Sequence, residues 1–211
     1  MLNLYLILDC SGSMNVAEKL ACTTQATGLV KSMINEAQWG HETKLGVVAF
    51  SDEATWHCQD AFKSDDLGPI KAVPDGLTNL GCAIRLIDAS LADPGEINDV
   101  NFVCFVLLSD GMPTDEYEAD LSKLQSRTDG RHARMIIGIG DEVDHEFAMT
   151  FSTIPAGTLD YCENSEGLKK RLLTCVEWMG TNIVPALVTS TSTKKPDGFV
   201  TSLKTGQLEI W

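Results

Sequence analysis

Four short apolar runs restrict most strongly what this chain can fold into: Leu4–Leu8, Leu45–Phe50, Phe102–Leu108 and Met135–Ile139. Each is mainly branched or aromatic, and none alternates cleanly between apolar and polar residues. Such a run fits a strand covered on both faces, as in a parallel sheet. Between the runs the apolar residues take helical spacing. Ala26, Leu29, Met33 and Ala37 form one series, with Val30 and Ile34 beside them. Leu80, Ile84, Ile87 and Leu91 form a second, Tyr117, Leu121 and Leu124 a third, and Leu168, Leu172, Val176 and Met179 a fourth. Asp144 is placed to cap a short helix carrying Phe147 and Phe151, and Asp93-Pro94-Gly95 to end the second helix. Ala54–Phe62 is more polar and follows Ser51-Asp52-Glu53 closely, so it reads as a hairpin partner on the sheet edge. Thr158–Tyr161 reads as a short final strand. Strands alternating with helices imply right-handed crossovers. The expected fold is therefore α/β and Rossmann-like: a doubly wound, mostly parallel six-stranded sheet with one antiparallel edge strand and helices on both faces.

Length and charge narrow the function. The chain has 211 residues, 44% of them hydrophobic, enough for one real core. Thirty acidic residues against 16 basic ones give a net charge of −14. That balance argues against binding a nucleic-acid backbone, which needs clustered Lys and Arg, and against a polybasic membrane patch. A cation, a basic partner or plain solubility stay open. The apolar start is interrupted by Asn3, stops at Asp9 and has no basic residues before it, unlike a signal peptide. No run approaches the ~18 apolar residues of a spanning helix. The seven cysteines are odd in number and form no CxxC pair. They read as reduced, mostly buried thiols of a cytoplasmic protein. From about Thr189 the sequence turns polar and repetitive, and residues 189–211 carry three Lys against two acids. We read 1–188 as one domain and 189–211 as a polar tail, whose apolar end Leu208-Glu209-Ile210-Trp211 is suited to docking back or binding a partner.

In a doubly wound sheet, ligands bind beyond the carboxyl ends of the strands, at the switch point. After the first strand comes Asp9-Cys10-Ser11-Gly12-Ser13, where Gly12 permits a bend turning both hydroxyls to one side. After the strand 102–108 comes Ser109-Asp110-Gly111-Met112-Pro113-Thr114-Asp115. Between them in sequence lies Asp75-Gly76-Leu77-Thr78-Asn79-Leu80-Gly81. The first strand and the 102–108 strand are expected to be central neighbours, so Asp9 and Asp110 emerge side by side. Two carboxylates and three hydroxyls form a hard, all-oxygen set suited to Mg²⁺, with Mn²⁺ or Ca²⁺ as competitors. Taken singly, each piece is weak, because Asp, Ser and Gly also serve turns and helix caps. The specificity lies in their combination.

Asp9-x-Ser11-x-Ser13, then Thr78, then Asp110 resembles the metal-ion-dependent adhesion site (MIDAS) of von Willebrand factor A domains. The surrounding words Leu-Asp-Cys-Ser-Gly-Ser-Met, Gly-Leu-Thr-Asn-Leu-Gly and Leu-Ser-Asp-Gly-Met-Pro-Thr-Asp fit as well, and the likeness runs from about Leu2 to Met179. The resemblance implies direct metal binding by the Ser11 and Ser13 hydroxyls. It implies a Thr78 contact in the ligand-engaged state, and roles for Asp9 and Asp110 mainly through bound water. The sixth position is then left to water or a partner's Asp or Glu. Cys10 departs from the family, which commonly has Thr or Val there, and puts a thiol beside the site. The Pro-Thr-Asp after Asp110 and the compact, leaderless form are most similar to bacterial TerY-type, tellurium-resistance-associated proteins. That narrower likeness implies a cytoplasmic stress-response or signalling setting, with a Ser/Thr kinase or a PP2C-type phosphatase as partner. The zinc-ribbon extension of some such proteins has no counterpart here.

Other motifs are unpromising. The four histidines (41, 57, 132 and 145) lack zinc spacing. Asp141–Glu146 lacks the EF-hand pattern and reads as an acidic turn into a helix. Neither GxxxxGK[ST] nor GxSxG occurs. Trp39, Trp56 and Trp178 are expected to pack. The expected function is a metal-dependent protein-binding module rather than an enzyme. A metal-assisted phosphate-ester hydrolase is the alternative, and a structural subunit with a vestigial site is a third reading. The acidic surface further implies basic residues flanking the partner's carboxylate.

Overall fold

A computed structural model describes residues 1–37, 43–62, 70, 74–92, 102–140, 143–154, 160–185 and 187. Six strands, β1 (Leu2–Asp9), β2 (Thr43–Phe50), β3 (Ala54–Cys58), β4 (Phe102–Ser109), β5 (His132–Ile139) and β6 (Asp160–Cys162), form one sheet in the order β3-β2-β1-β4-β5-β6. Every pairing is parallel except β2 with β3. The chain leaves β1 toward one side of the sheet and returns to its other side at β4, so the switch point falls between these two strands.

β1 shows why the apolar runs do not alternate. Its eight residues are all buried. Leu2, Leu4, Leu6 and Leu8 point to one face, where they join the helices α1 (Ala17–Glu36) and α5 (Ser165–Asn182). Tyr5 and Ile7 point to the other and meet α2 (Leu80–Leu91), α3 (Glu118–Thr128) and α4 (His145–Phe151). β4 divides in the same way, with Cys104, Val106 and Leu108 on one face and Val103, Phe105 and Leu107 on the other. Burying one such leucine contributes roughly 1.5–3 kcal/mol, so the two central strands anchor both layers of the core.

The structure shifts several boundaries. α1 begins at Ala17, nine residues before the first position of its apolar series, and Ala37 is its C-cap. Its buried line is Cys22, Ala26, Val30 and Ile34, while Leu29 and Met33 are only partly buried beside it. The edge strand ends at Cys58 rather than Phe62, although the Ala61 N–H still donates to the Leu45 carbonyl at 2.7 Å. The last strand is Asp160–Cys162. Asp144 caps α4 as expected, accepting from the Phe147 N–H at 2.7 Å. Trp56 and Trp178 pack against the two cores. All seven cysteines are free, and five are buried. No helix among the described residues is long and apolar enough to cross a membrane. Trp39, Asp93-Pro94-Gly95, Asp141 and the expected tail 189–211 lie outside the described residues.

Candidate metal centre

β1 and β4 run in register, Leu8 opposite Leu108, so both chains leave the sheet at the same level. Asp9 and Asp110 therefore emerge together, 0% and 1% exposed. A chain of short contacts connects them. Asp9 Oδ1 accepts the Ser11 N–H at 2.8 Å, and Asp9 Oδ2 accepts the Ser109 hydroxyl at 2.5 Å. The Ser11 and Ser13 hydroxyl oxygens are 3.1 Å apart, and Ser13 donates to Asp110 Oδ1 at 2.8 Å. The Lys19 ammonium, from the first turn of α1, donates to Asp110 Oδ2 at 2.7 Å. Asp9, Ser11, Ser13 and Asp110 thus form one cluster, built from the turn after β1 and the end of β4.

Thr78 approaches on a third loop. The Gly12 N–H donates to the Gly76 carbonyl at 3.1 Å, and the Asp75 N–H to the Cys10 carbonyl at 3.1 Å, laying residues 75–76 along the first loop. Thr78 is buried. Its backbone is clamped by Thr114: the Thr78 N–H donates to Thr114 Oγ1 at 3.1 Å, and the Thr114 N–H to the Thr78 carbonyl at 2.9 Å. Asp115 Oδ2 accepts the Gly81 N–H at 2.9 Å, supplying from another loop the cap that Asn79 does not give α2. The Pro113-Thr114-Asp115 segment therefore locks the Thr78 loop to the Asp110 loop.

The bend at Gly12 is a short 3-10 turn, Gly12–Met14, and it does turn the two serine hydroxyls to one side. It needs no left-handed backbone. That demand falls on Gly76, whose φ is +79° and where a Cβ would collide with the Asp52 carboxylate. Sequence reasoning assigned no role to Ser109, Lys19 or Asp52. Ser109 was legible as a hydroxyl at the end of a buried strand, one residue before Asp110. Lys19 carried no signal, because helical periodicity became visible only from Ala26.

Burial raises the Asp9 pKa above the usual carboxylate range, the nearby Asp110 charge adds to that, and hydrogen bonds from Ser109 and Ser11 oppose it. Burial, with the Asp9 charge, pushes the Cys10 thiol up to about 12. It is therefore held as a poorly reactive thiol rather than a thiolate. Two buried carboxylates, with one ammonium bonded to Asp110, leave room for more positive charge, and the neighbouring donors are hard oxygens. This donor set fits a divalent cation of the Mg²⁺ type. Among the described residues no group of three or more His, Cys, Asp or Glu could hold a metal.

A model of the von Willebrand factor type A domain matches residues 3–170, and the chain belongs to that family of metal-dependent protein-interaction modules. No curated protein matches the chain significantly. Among solved structures, the fold is similar to a von Willebrand factor type A protein from Catenulispora acidiphila, with a TM-score of 0.60, 18% identity, and coverage of 82% of this chain and 41% of that one. The ArnB paralog VWA2 from Sulfolobus acidocaldarius gives a TM-score of 0.58 at 20% identity, covering 82% and 44%. Proximal thread matrix protein 1 from the mussel byssus, solved with zinc in its MIDAS motif, gives 0.57 at 16% identity, covering 83% and 46%. The chain spans less than half the length of each of these structures.

Proposed function

We propose that the protein is a binding module in which a divalent cation, Mg²⁺ in the first instance, accepts a carboxylate from a protein partner. Ser11, Ser13 and Thr78 would hold the metal through their hydroxyls, and Asp9 and Asp110 mainly through water. The metal would supply a Lewis-acid position for the partner's Asp or Glu. The observation that carries this reading is the hydrogen-bonded cluster of Asp9, Ser11, Ser13 and Asp110 at the switch point. The ammonium of Lys19 on Asp110 supports it, since the site already attracts positive charge. The zinc-bearing mussel protein makes zinc a further metal to test.

Calorimetry tests the assignment. Asp9→Ala and Ser13→Ala should stay folded and bind Mg²⁺ more weakly than the parent protein, and unchanged affinity in both would overturn it. Turnover of p-nitrophenyl phosphate that is lost in Asp110→Asn would replace it with the hydrolase reading. We further assign the protein to a cytoplasmic, TerY-type stress-response or signalling setting, with a Ser/Thr kinase or PP2C-type phosphatase as partner. Support for this comes from the likeness of the Pro113-Thr114-Asp115 segment to TerY-type proteins. Co-purification of such an enzyme in Mg²⁺ but not in EDTA is the expected result.

A further inference from the structure

The exposed apolar side chains of the described residues are unevenly placed. Six large ones are exposed, and three of them sit on the three loops that build the metal centre. Val16, 47% exposed, caps α1 three residues after Ser13. Leu77, 56% exposed, precedes Thr78, and Met112, also 56% exposed, follows Asp110 by two residues. Single exposed apolar residues are ordinary, but a group around one polar centre is a recognition feature. Backbone bonds fix the arrangement. The Leu77 N–H donates to Asp52 Oδ1 at 2.8 Å, the Gly12–Gly76 bond ties this loop to the first, and the Thr114–Thr78 bond ties it to the third. Leu77 and Met112 are thus held outward on braced loops. Beside these side chains the chain carries exposed acids: Asp52, which accepts the Leu77 N–H, Asp75 and Glu116.

We infer that the partner is a protein segment presenting its Asp or Glu between apolar side chains, with basic residues further out. Leu77, Met112 and Val16 form the inner apolar contact, and Asp52, Asp75 and Glu116 the outer acidic one. This inference rests on the metal-carboxylate reading and adds the specificity which that reading lacks. The charge complementarity is direct, since acids on this rim repel an acidic segment and attract a basic one. The layout also follows the usual order of an interface, with water excluded from an apolar centre and charge kept at the rim. A carboxylate bound to a metal gains most where its neighbours exclude water.

Short synthetic peptides with a central Glu, titrated into the Mg²⁺-loaded full chain and followed by fluorescence anisotropy, test this. One set has Leu beside the Glu and Lys outside, a second has Ser throughout, and a third has Leu beside and Asp outside. The first set should bind about tenfold or more tighter than either other. Leu77→Ser with Met112→Ser should remove the advantage of Leu over Ser while leaving Mg²⁺ affinity by calorimetry unchanged. Equal binding of all three sets, abolished by EDTA, would overturn the rim and leave the metal reading standing. Binding of the first set that survives EDTA and a Glu-to-Gln exchange would overturn the metal reading and keep the rim. No binding by any peptide would overturn both. Mg²⁺-dependent dimerisation in sedimentation velocity that disappears in the double variant would give the surface to a second copy of the chain instead, and would overturn the inference.

Discussion

The Lys19 ammonium sits 2.7 Å from Asp110 Oδ2, and the carboxylate it neutralises has a fully buried side chain. Asp110 spends its other oxygen on the Ser13 hydroxyl. A divalent cation drawn to the same serines and carboxylates would meet this ammonium as a like charge. In the proposed metal-binding state Lys19 would therefore compete with the cation, whose electrostatic place it holds in the metal-free protein.

Lys19→Met separates the two effects. The side chain is shortened by one atom, stays unbranched and loses its charge. Metal-free protein should lose about 1–3 kcal/mol, because a buried carboxylate is left without its counter-ion. Mg²⁺ affinity should rise several-fold, because the competing charge is gone. Thermal unfolding in EDTA reads the first effect and calorimetry the second. A variant that binds Mg²⁺ no better would show that Lys19 gives way to the metal without cost.

Gly76 is where the backbone of the site is under the tightest constraint. Its φ of +79° disfavours any L side chain, and the Asp52 carboxylate occupies the space of a Cβ. A Cβ on Gly12, the residue it bonds to, would make only an ordinary 3.5 Å contact with the Gly76 carbonyl. Gly76→Ala should therefore cost roughly 1–2 kcal/mol or more and weaken Mg²⁺ binding by displacing the loop that carries Thr78. Gly12→Ala should do distinctly less to stability. Urea unfolding of the two variants side by side decides this, and equal losses would contradict the assignment.

The same pair shows how far the sequence was legible. Position in the chain and residue chemistry sufficed to bring Asp9, Ser11, Ser13 and Asp110 together. Each follows a strand whose apolar run marks it as central, and parallel register then brings the strand ends level. Thr78 enters the proposed set only on its local words, and what positions its loop is not visible in sequence. Thr114, Asp115 and Asp52 accept backbone N–H groups on their side-chain oxygens and Gly76 accepts one on its carbonyl, and backbone partners leave no periodic trace in side-chain pattern. Both faces of α1 looked alike in sequence because Thr23 and Thr27 are buried alongside Cys22 and Ala26, so polarity marked neither the start of the helix nor its buried line. The glycine judged important for the bend was Gly12, whereas backbone sterics single out Gly76.

The start of β5 carries a buried contact away from the candidate metal centre. Arg134 is buried, its Nη1 lies 2.9 Å from His132 Nε2, and its Nε donates to the Phe151 carbonyl at 2.6 Å. Arginine has no acceptor, so His132 Nε2 must be the unprotonated nitrogen. Its Nδ1–H then faces Thr128 Oγ1 at 2.9 Å, whose own hydrogen goes to the Gln125 carbonyl at 3.0 Å. Burial, reinforced by the Arg134 charge, pushes the His132 pKa down to about 4. An unfolded histidine titrates near 6.5, so between about pH 6.5 and 4 the unfolded chain binds a proton that the folded one refuses. The His132 contribution is therefore constant above this window, declines as pH falls through it, and is lost below it. Urea unfolding in EDTA at pH 7.5 and 4.2 should show the parent protein losing more stability than His132→Gln, with the difference on the order of 1–3 kcal/mol. Groups that titrate alike in both proteins cancel in that comparison. Equal losses in the two proteins would mean that His132 accepts its proton in the fold and that the Arg134 contact yields to it.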